Sequence, residues 1–134
     1  MALAVALVVS VVLVILLTPL GFESRPPTAL KTVGYIAIGT IFVGLALDVA
    51  SLVLLFRRVR LASILAIIGS ILFFFPIIGD FAGAFFSVPI PPAINTLESI
   101  FAVVVVVTLF LAANVYRESK PLAGESSNER PNDL

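Results

Sequence analysis

Four long apolar segments alternate with short polar segments along residues 1–117. They predict helices at about residues 1–18, 33–56, 61–78 and 93–116. About 20 apolar residues are enough for a helix to cross a bilayer, and a slightly longer helix can tilt. We therefore expect an all-α integral membrane protein whose single domain is a bundle of four transmembrane helices. The polar residues 118–134 predict a disordered C-terminal tail.

Polar connectors determine how the predicted helices follow one another. Residues 21–32 include Pro26 and Pro27, which rule out a continuous helix there. Residues 57–60 allow only a tight turn, so helices 2 and 3 should be antiparallel neighbours, and Pro76 should kink or end helix 3. The first apolar segment has neither the basic flank nor the cleavage pattern of a signal peptide, so we expect a retained helix.

The composition agrees with a lipid environment. Hydrophobic residues make up 60% of the chain and charged residues 12%, whereas a soluble domain is roughly half apolar and a quarter charged. So little charge cannot solvate a protein surface, which must then face lipid. The net charge is zero and the sequence has no basic patch, so no nucleic-acid partner is expected.

The absence of cysteine and histidine from the sequence removes several kinds of chemistry. Disulfides, thiol redox reactions, Cys- or His-ligated haem and iron–sulfur clusters, and ordinary zinc sites all need these residues. Acid–base and triad catalysis that depends on histidine is also excluded. We therefore expect a protein that is not itself an enzyme and has no cofactor, although it could be a non-catalytic subunit of a membrane enzyme.

The distribution of basic residues predicts the orientation in the membrane. Four spans place the N-terminus, the turn at residues 57–60 and the C-terminal tail on one side. The basic residues of that side are Arg57, Arg58, Arg60, Arg117, Lys120 and Arg130. The opposite side has only Arg25 and Lys31. The positive-inside rule therefore predicts cytoplasmic N- and C-termini, in the plasma membrane.

Asp48 is the one ionisable residue inside predicted helix 2. It precedes Arg57 by nine residues, about 13 Å at ~1.5 Å per residue, which is close to the midplane of a ~30 Å hydrocarbon core. The same depth in the other helices falls at Ser10, at Gly69 next to Ser70, and at Thr108, and Gly69 would let helix 3 come close. We therefore predict an intramembrane polar layer in which these hydroxyls surround the carboxyl. Alternatively, each hydroxyl bonds to its own helix four residues earlier.

Asp48 also belongs to a face of small residues on helix 2, at three- and four-residue spacing. This face comprises Ala37, Thr40, Gly44, Asp48 and Ser51. Small residues let helix backbones approach closely, so the face predicts helix packing, within the chain or with a partner. Three roles remain open for the carboxyl: packing, handling of a proton or ion, and pairing with a basic residue of a partner.

The third connector, residues 79–92, has the glycine and proline content of a loop but carries Phe81, Phe85 and Phe86. We expect these phenylalanines to form an outer contact surface, either among lipid chains or against another protein. Asp80 and Glu98 flank the connector and could approach each other, as ordinary interfacial carboxylates or as a cation site.

Two functions remain. The small-residue face, the short connectors and the apolar outer loop favour a structural or accessory subunit of a larger membrane complex. Its partners would be the lipid bilayer and other membrane subunits, or a second copy of the chain. The alternative is a small homo-oligomeric transporter or channel that uses Asp48 within the membrane.

Overall fold

The structure is a computed structural model that describes residues 1–119. The helices are α1 (Ala2–Glu23), α2 (Thr32–Leu54), α3 (Val59–Phe81) and α4 (Pro92–Glu118), with a short 3₁₀ helix at Pro27–Ala29. Each of the four α-helices is long and apolar enough to span a membrane. The prediction of an all-helical chain with four such helices is therefore confirmed. The predicted tail lies outside the described residues, apart from its first two positions.

Two helices continue through a proline beyond their predicted ends. α1 continues through Pro19 to Glu23, and α3 continues through Pro76 to Phe81. Proline removes one backbone donor and crowds the carbonyl four residues earlier, but helices in an apolar environment tolerate it when neighbouring groups satisfy the freed carbonyl. The predicted ends at residues 18 and 78 are therefore too early.

The helices form a closed four-membered ring in chain order, because each packs on the next and α1 also packs on α4. Contact is most extensive between α2 and α3 and least extensive between α1 and α2. Tight and short connections make neighbouring helices antiparallel. One end of the bundle, the terminal end, carries Met1, the turn at residues 55–58 and Ser119. The other, the connector end, carries residues 24–31 and 82–91.

The interior consists of three apolar clusters stacked along the bundle. Near the terminal end lie Leu3, Leu7, Ala66 and Ala112. Towards the connector end lie Val14, Phe73, Ile77, Phe101 and Val105. The connector end is covered by Ala29, Ala37, Phe85 and Phe86.

The small-residue face of α2 lies inside the chain. Ala37, Gly44, Asp48 and Ser51 are buried, and the Ser51 hydroxyl donates a 2.8 Å hydrogen bond to the Ala62 carbonyl of α3. A Cβ atom at Gly44 would lie 2.9 Å from the Phe73 ring of α3. The face therefore mediates packing between α2 and α3 of the same molecule.

Candidate functional site

Asp48 lies where α1, α2 and α3 meet. Asp48 is only 1% exposed to solvent. The Ser10 hydroxyl of α1 donates a 2.8 Å hydrogen bond to Asp48 Oδ2. On the other side, a Cβ atom at Gly69 of α3 would stand 2.7 Å from Oδ1. The missing side chain of Gly69 thus makes room for the carboxyl between the helices.

The remaining residues of the predicted polar layer are buried but differ in their contacts. Ser70 follows Gly69 in α3 and is buried. Thr108 is also buried, yet its hydroxyl donates a 2.8 Å hydrogen bond to the Val104 carbonyl of its own helix. Thr40, in the small-residue face, likewise bonds within α2, to the Ala37 carbonyl. The structure therefore brings Ser10 to Asp48 and directs the Thr108 hydroxyl along α4.

Ser10→Ala should lower the free energy of unfolding by about 1 kcal/mol, in the range found for hydrogen bonds between membrane helices. The substitution removes the donor to Asp48 Oδ2 and leaves a buried carboxyl oxygen without it. Thr108→Val is the matched control, since its hydroxyl bond lies within one helix. Steric trapping in lipid bicelles measures both variants. Equal losses in the two would contradict an interhelical role for the Ser10 hydroxyl.

A second polar cluster lies at the connector end and is centred on Arg25, which the sequence reasoning did not single out. Arg25 follows α1 and is only 3% exposed. Its Nη1 and Nη2 donate hydrogen bonds of 2.7 and 2.6 Å to Asp80 Oδ1 and Oδ2. The guanidinium carbon lies 4.0 Å from the centre of the Phe86 ring. The hydrogen bond with Asp80 raises the pKa of Arg25 above its usual value, so the guanidinium stays charged.

Glu98 of α4 completes this cluster, which we call the connector cluster (Arg25, Asp80 and Glu98). Its carboxyl interacts with both Asp80 and Arg25. The two carboxylates predicted to approach each other thus share a site, and the cation beside them is the chain's own Arg25. Within residues 1–119, three buried side-chain atoms lack a hydrogen-bond partner: Arg25 Nε, Glu98 Oε2 and Asp48 Oδ1. Two of the three belong to the connector cluster.

The sequence contained a signal for this cluster. Arg25 precedes two prolines and is one of only two basic residues predicted for that side of the membrane. Asp80 lies where the other connector at that end begins. An ion pair between the two connectors could therefore have been predicted.

The aromatic residues of the third connector mostly point inward. Phe85 and Phe86 are 4% and 8% exposed, whereas Phe81 is 45% exposed. Backbone hydrogen bonds join the two connectors, from Lys31 N–H to the Phe85 carbonyl and from Ser87 N–H to the Ala29 carbonyl. This pairing turns the two rings into the bundle. The expected outer contact surface of three phenylalanines is therefore reduced to Phe81.

A cavity of about 90 Å³ lies beneath the paired connectors. Apolar side chains from all four helices line it, among them Leu17, Ile38, Phe73, Ile77 and Phe101. The three residues of the connector cluster form part of the same wall. The arrangement is an apolar chamber with a charged end.

Comparison with known proteins found no matching family model, no matching curated protein and no matching solved structure.

Proposed function

We propose that this protein is a structural or accessory subunit of a larger complex in the plasma membrane and is not itself an enzyme. Both termini would lie in the cytoplasm, because Arg57, Arg58 and Arg60 are exposed at the terminal end and the positive-inside rule places such clusters on the cytoplasmic side. The partners would be other membrane subunits, or a second copy, that contact the apolar outer faces of the helices.

One observation carries this proposal: the Asp48 carboxyl is enclosed by helices of a single chain. Its hydrogen bond to Ser10 crosses from α1 to α2, and α3 approaches it at Gly69. Such a contact stabilises the association of helices in a membrane. This position supports a structural role for the Asp48 carboxyl, in which it stabilises the packing of the helices. It offers little support for an oligomer assembled around Asp48, since that oligomer needs the carboxyl at a subunit surface.

The second candidate function is a homo-oligomeric transporter or channel, and it is supported by one atom of Asp48. Asp48 Oδ1 is buried and has no hydrogen-bond partner within residues 1–119. An acceptor of this kind near the bilayer midplane is a position from which a proton or cation can be bound. This function also requires the helices around Asp48 to open a path to it.

Purification from native membranes in a mild detergent distinguishes the two candidates. The accessory subunit should migrate in a complex much larger than itself, together with other chains in fixed stoichiometry. Asp48→Asn should leave this association intact, because the amide oxygen can still accept the Ser10 hydrogen bond. Migration as a discrete homo-oligomer, with ion or proton flux in liposomes that Asp48→Asn abolishes, would contradict the accessory role and support the transporter.

A further inference from the structure

The cavity beneath the connectors is least enclosed on the side of α1 and α2. Its walls on α3 include Phe73 and Ile77, which are buried. Its walls on α1 and α2 include Leu17 and Ile38, which are only half-buried. Among neighbouring helices of the ring, these two also have the least extensive mutual contact. The volume of about 90 Å³ holds a small head group, so a longer molecule would have to leave through this seam.

The charged end of the cavity contains one donor atom and one acceptor atom without a hydrogen-bond partner among the described residues, although the Glu98 carboxyl as a whole interacts with Asp80. Arg25 Nε–H is a donor, Glu98 Oε2 is an acceptor, and within residues 1–119 neither has a partner although both atoms are buried. Arg25 is 3% exposed, so bulk water does not reach it freely. A buried polar atom without a partner costs free energy of about 1–3 kcal/mol, which a ligand can recover.

The charges of the connector cluster select among possible head groups. An anionic head group at this end would lie against Asp80 and Glu98, and an ammonium group would lie against the guanidinium of Arg25. Each charge would be buried beside a like charge, and the opposite charges of Arg25 and Asp80 are already paired with each other, so little attraction is left to offset the desolvation. A hydroxyl avoids both problems, since it can accept a hydrogen bond from Nε–H and donate one to Oε2.

We infer that this cavity binds an uncharged amphiphile with a hydroxyl head group. The hydroxyl lies between Arg25 and Glu98, and the apolar chain passes along the lining of the cavity and leaves between α1 and α2. Water can make the same two hydrogen bonds, but it would leave the mostly apolar lining of the rest of the cavity unfilled, which the chain of an amphiphile would cover. The inference is independent of whether the protein is an accessory subunit.

The test uses the full chain in phosphatidylcholine nanodiscs and a diazirine-bearing hexadecanol as photoaffinity probe. Mass spectrometry locates the labelled peptides, and unlabelled hexadecanol, hexadecanoic acid, hexadecylamine and hexadecane compete at equal concentrations. Labelling is expected on the α1 and α2 segments that line the cavity. Hexadecanol should compete about tenfold better than the acid or the amine, a ratio that corresponds to roughly 1.4 kcal/mol.

Two glycines give a matched pair of variants. Gly21 lines the cavity on α1, and Gly39 is exposed on α2 away from that lining. A Cβ atom at either position would meet nothing within 4 Å. The rest of a leucine side chain can extend into the cavity at Gly21 and away from the bundle at Gly39, so both variants should fold. Gly21→Leu narrows the seam and should reduce competable labelling about tenfold, whereas Gly39→Leu should leave it unchanged. Equal labelling in the two variants would overturn the proposed site.

Glu98→Met tests the head-group contact separately. It removes the unpartnered acceptor and nearly preserves the size of the side chain. The preference for hexadecanol over hexadecane should then fall about fivefold, as expected for the loss of one hydrogen bond. An unchanged preference would refute the assignment of the hydroxyl to Glu98. Equal competition by all four compounds in the wild-type protein would indicate a cavity that holds water or any lipid chain, and would overturn the inference.

Discussion

Arg25→Met should destabilise the protein by about 3–5 kcal/mol, the typical cost of removing one partner of a buried ion pair. Asp80 would lose both of the hydrogen bonds that its carboxylate accepts from the guanidinium. The side chains of this pair are only 2% and 9% exposed, so water cannot replace those bonds without opening the connector end. The contact between the guanidinium and the Phe86 ring would also be lost.

Two further variants separate the buried charge from other effects of the substitution. Arg57→Met removes an exposed arginine from the turn at the terminal end, and its effect should stay within about 0.5 kcal/mol. Arg25→Met combined with Asp80→Leu removes both charges, and should recover much of the stability lost in the single variant.

The free energy of unfolding of these variants can be measured by steric trapping. The chain has no cysteine, so two introduced cysteines can carry the labels at defined positions. A loss for Arg25→Met no larger than that for Arg57→Met would show that the ion pair does not hold the connectors together. Failure of the double variant to recover stability would instead indicate that the packing of the arginine side chain is what matters.

The length of the apolar segments was sufficient to predict the helical architecture. A helix satisfies its backbone hydrogen bonds within one segment, so apolar length alone predicts a helix long enough to span a membrane. Whether a helix ends at Pro19 or Pro76 or continues through it depends on whether neighbouring groups tolerate the proline, which is a property of the folded bundle. Apolar length carries no information about it.

The few charges at the connector end made an ion pair there foreseeable, but local pattern could not identify which residues pair in the connector cluster. The pairing of Arg25 with Asp80 joins positions 55 residues apart, and the burial of Phe85 depends on the space at Gly79, where a Cβ atom would overlap its ring. The contact between Ser10 and Asp48 was predictable because depth along a helix follows from residue number. Depth does not specify which way a hydroxyl points, and Thr108 points along its own helix.

Gly69→Ala should destabilise the protein by about 1–3 kcal/mol, the usual range for an extra methyl group in a packed interior. The added Cβ atom would stand 2.7 Å from Asp48 Oδ1 and 3.3 Å from the Gly44 carbonyl oxygen. The second of these is a backbone atom, so α2 and α3 would have to separate or the carboxyl would have to turn. Gly39→Ala is the control, because nothing lies within 4 Å of its Cβ position. There alanine should be neutral or stabilising by up to about 1 kcal/mol.

Combining Gly69→Ala with Ser10→Ala shows whether the two residues act on the same carboxyl. A methyl group at Gly69 that displaces Asp48 already weakens its hydrogen bond to Ser10. Loss of the hydroxyl should then cost less in the double variant than in the wild-type background, with a coupling energy of at least about 0.5 kcal/mol. Additive losses would mean that Asp48 keeps its position when α3 is pushed away. The carboxyl would then be held by α1 and α2 alone, and its burial would not depend on the close approach of α3.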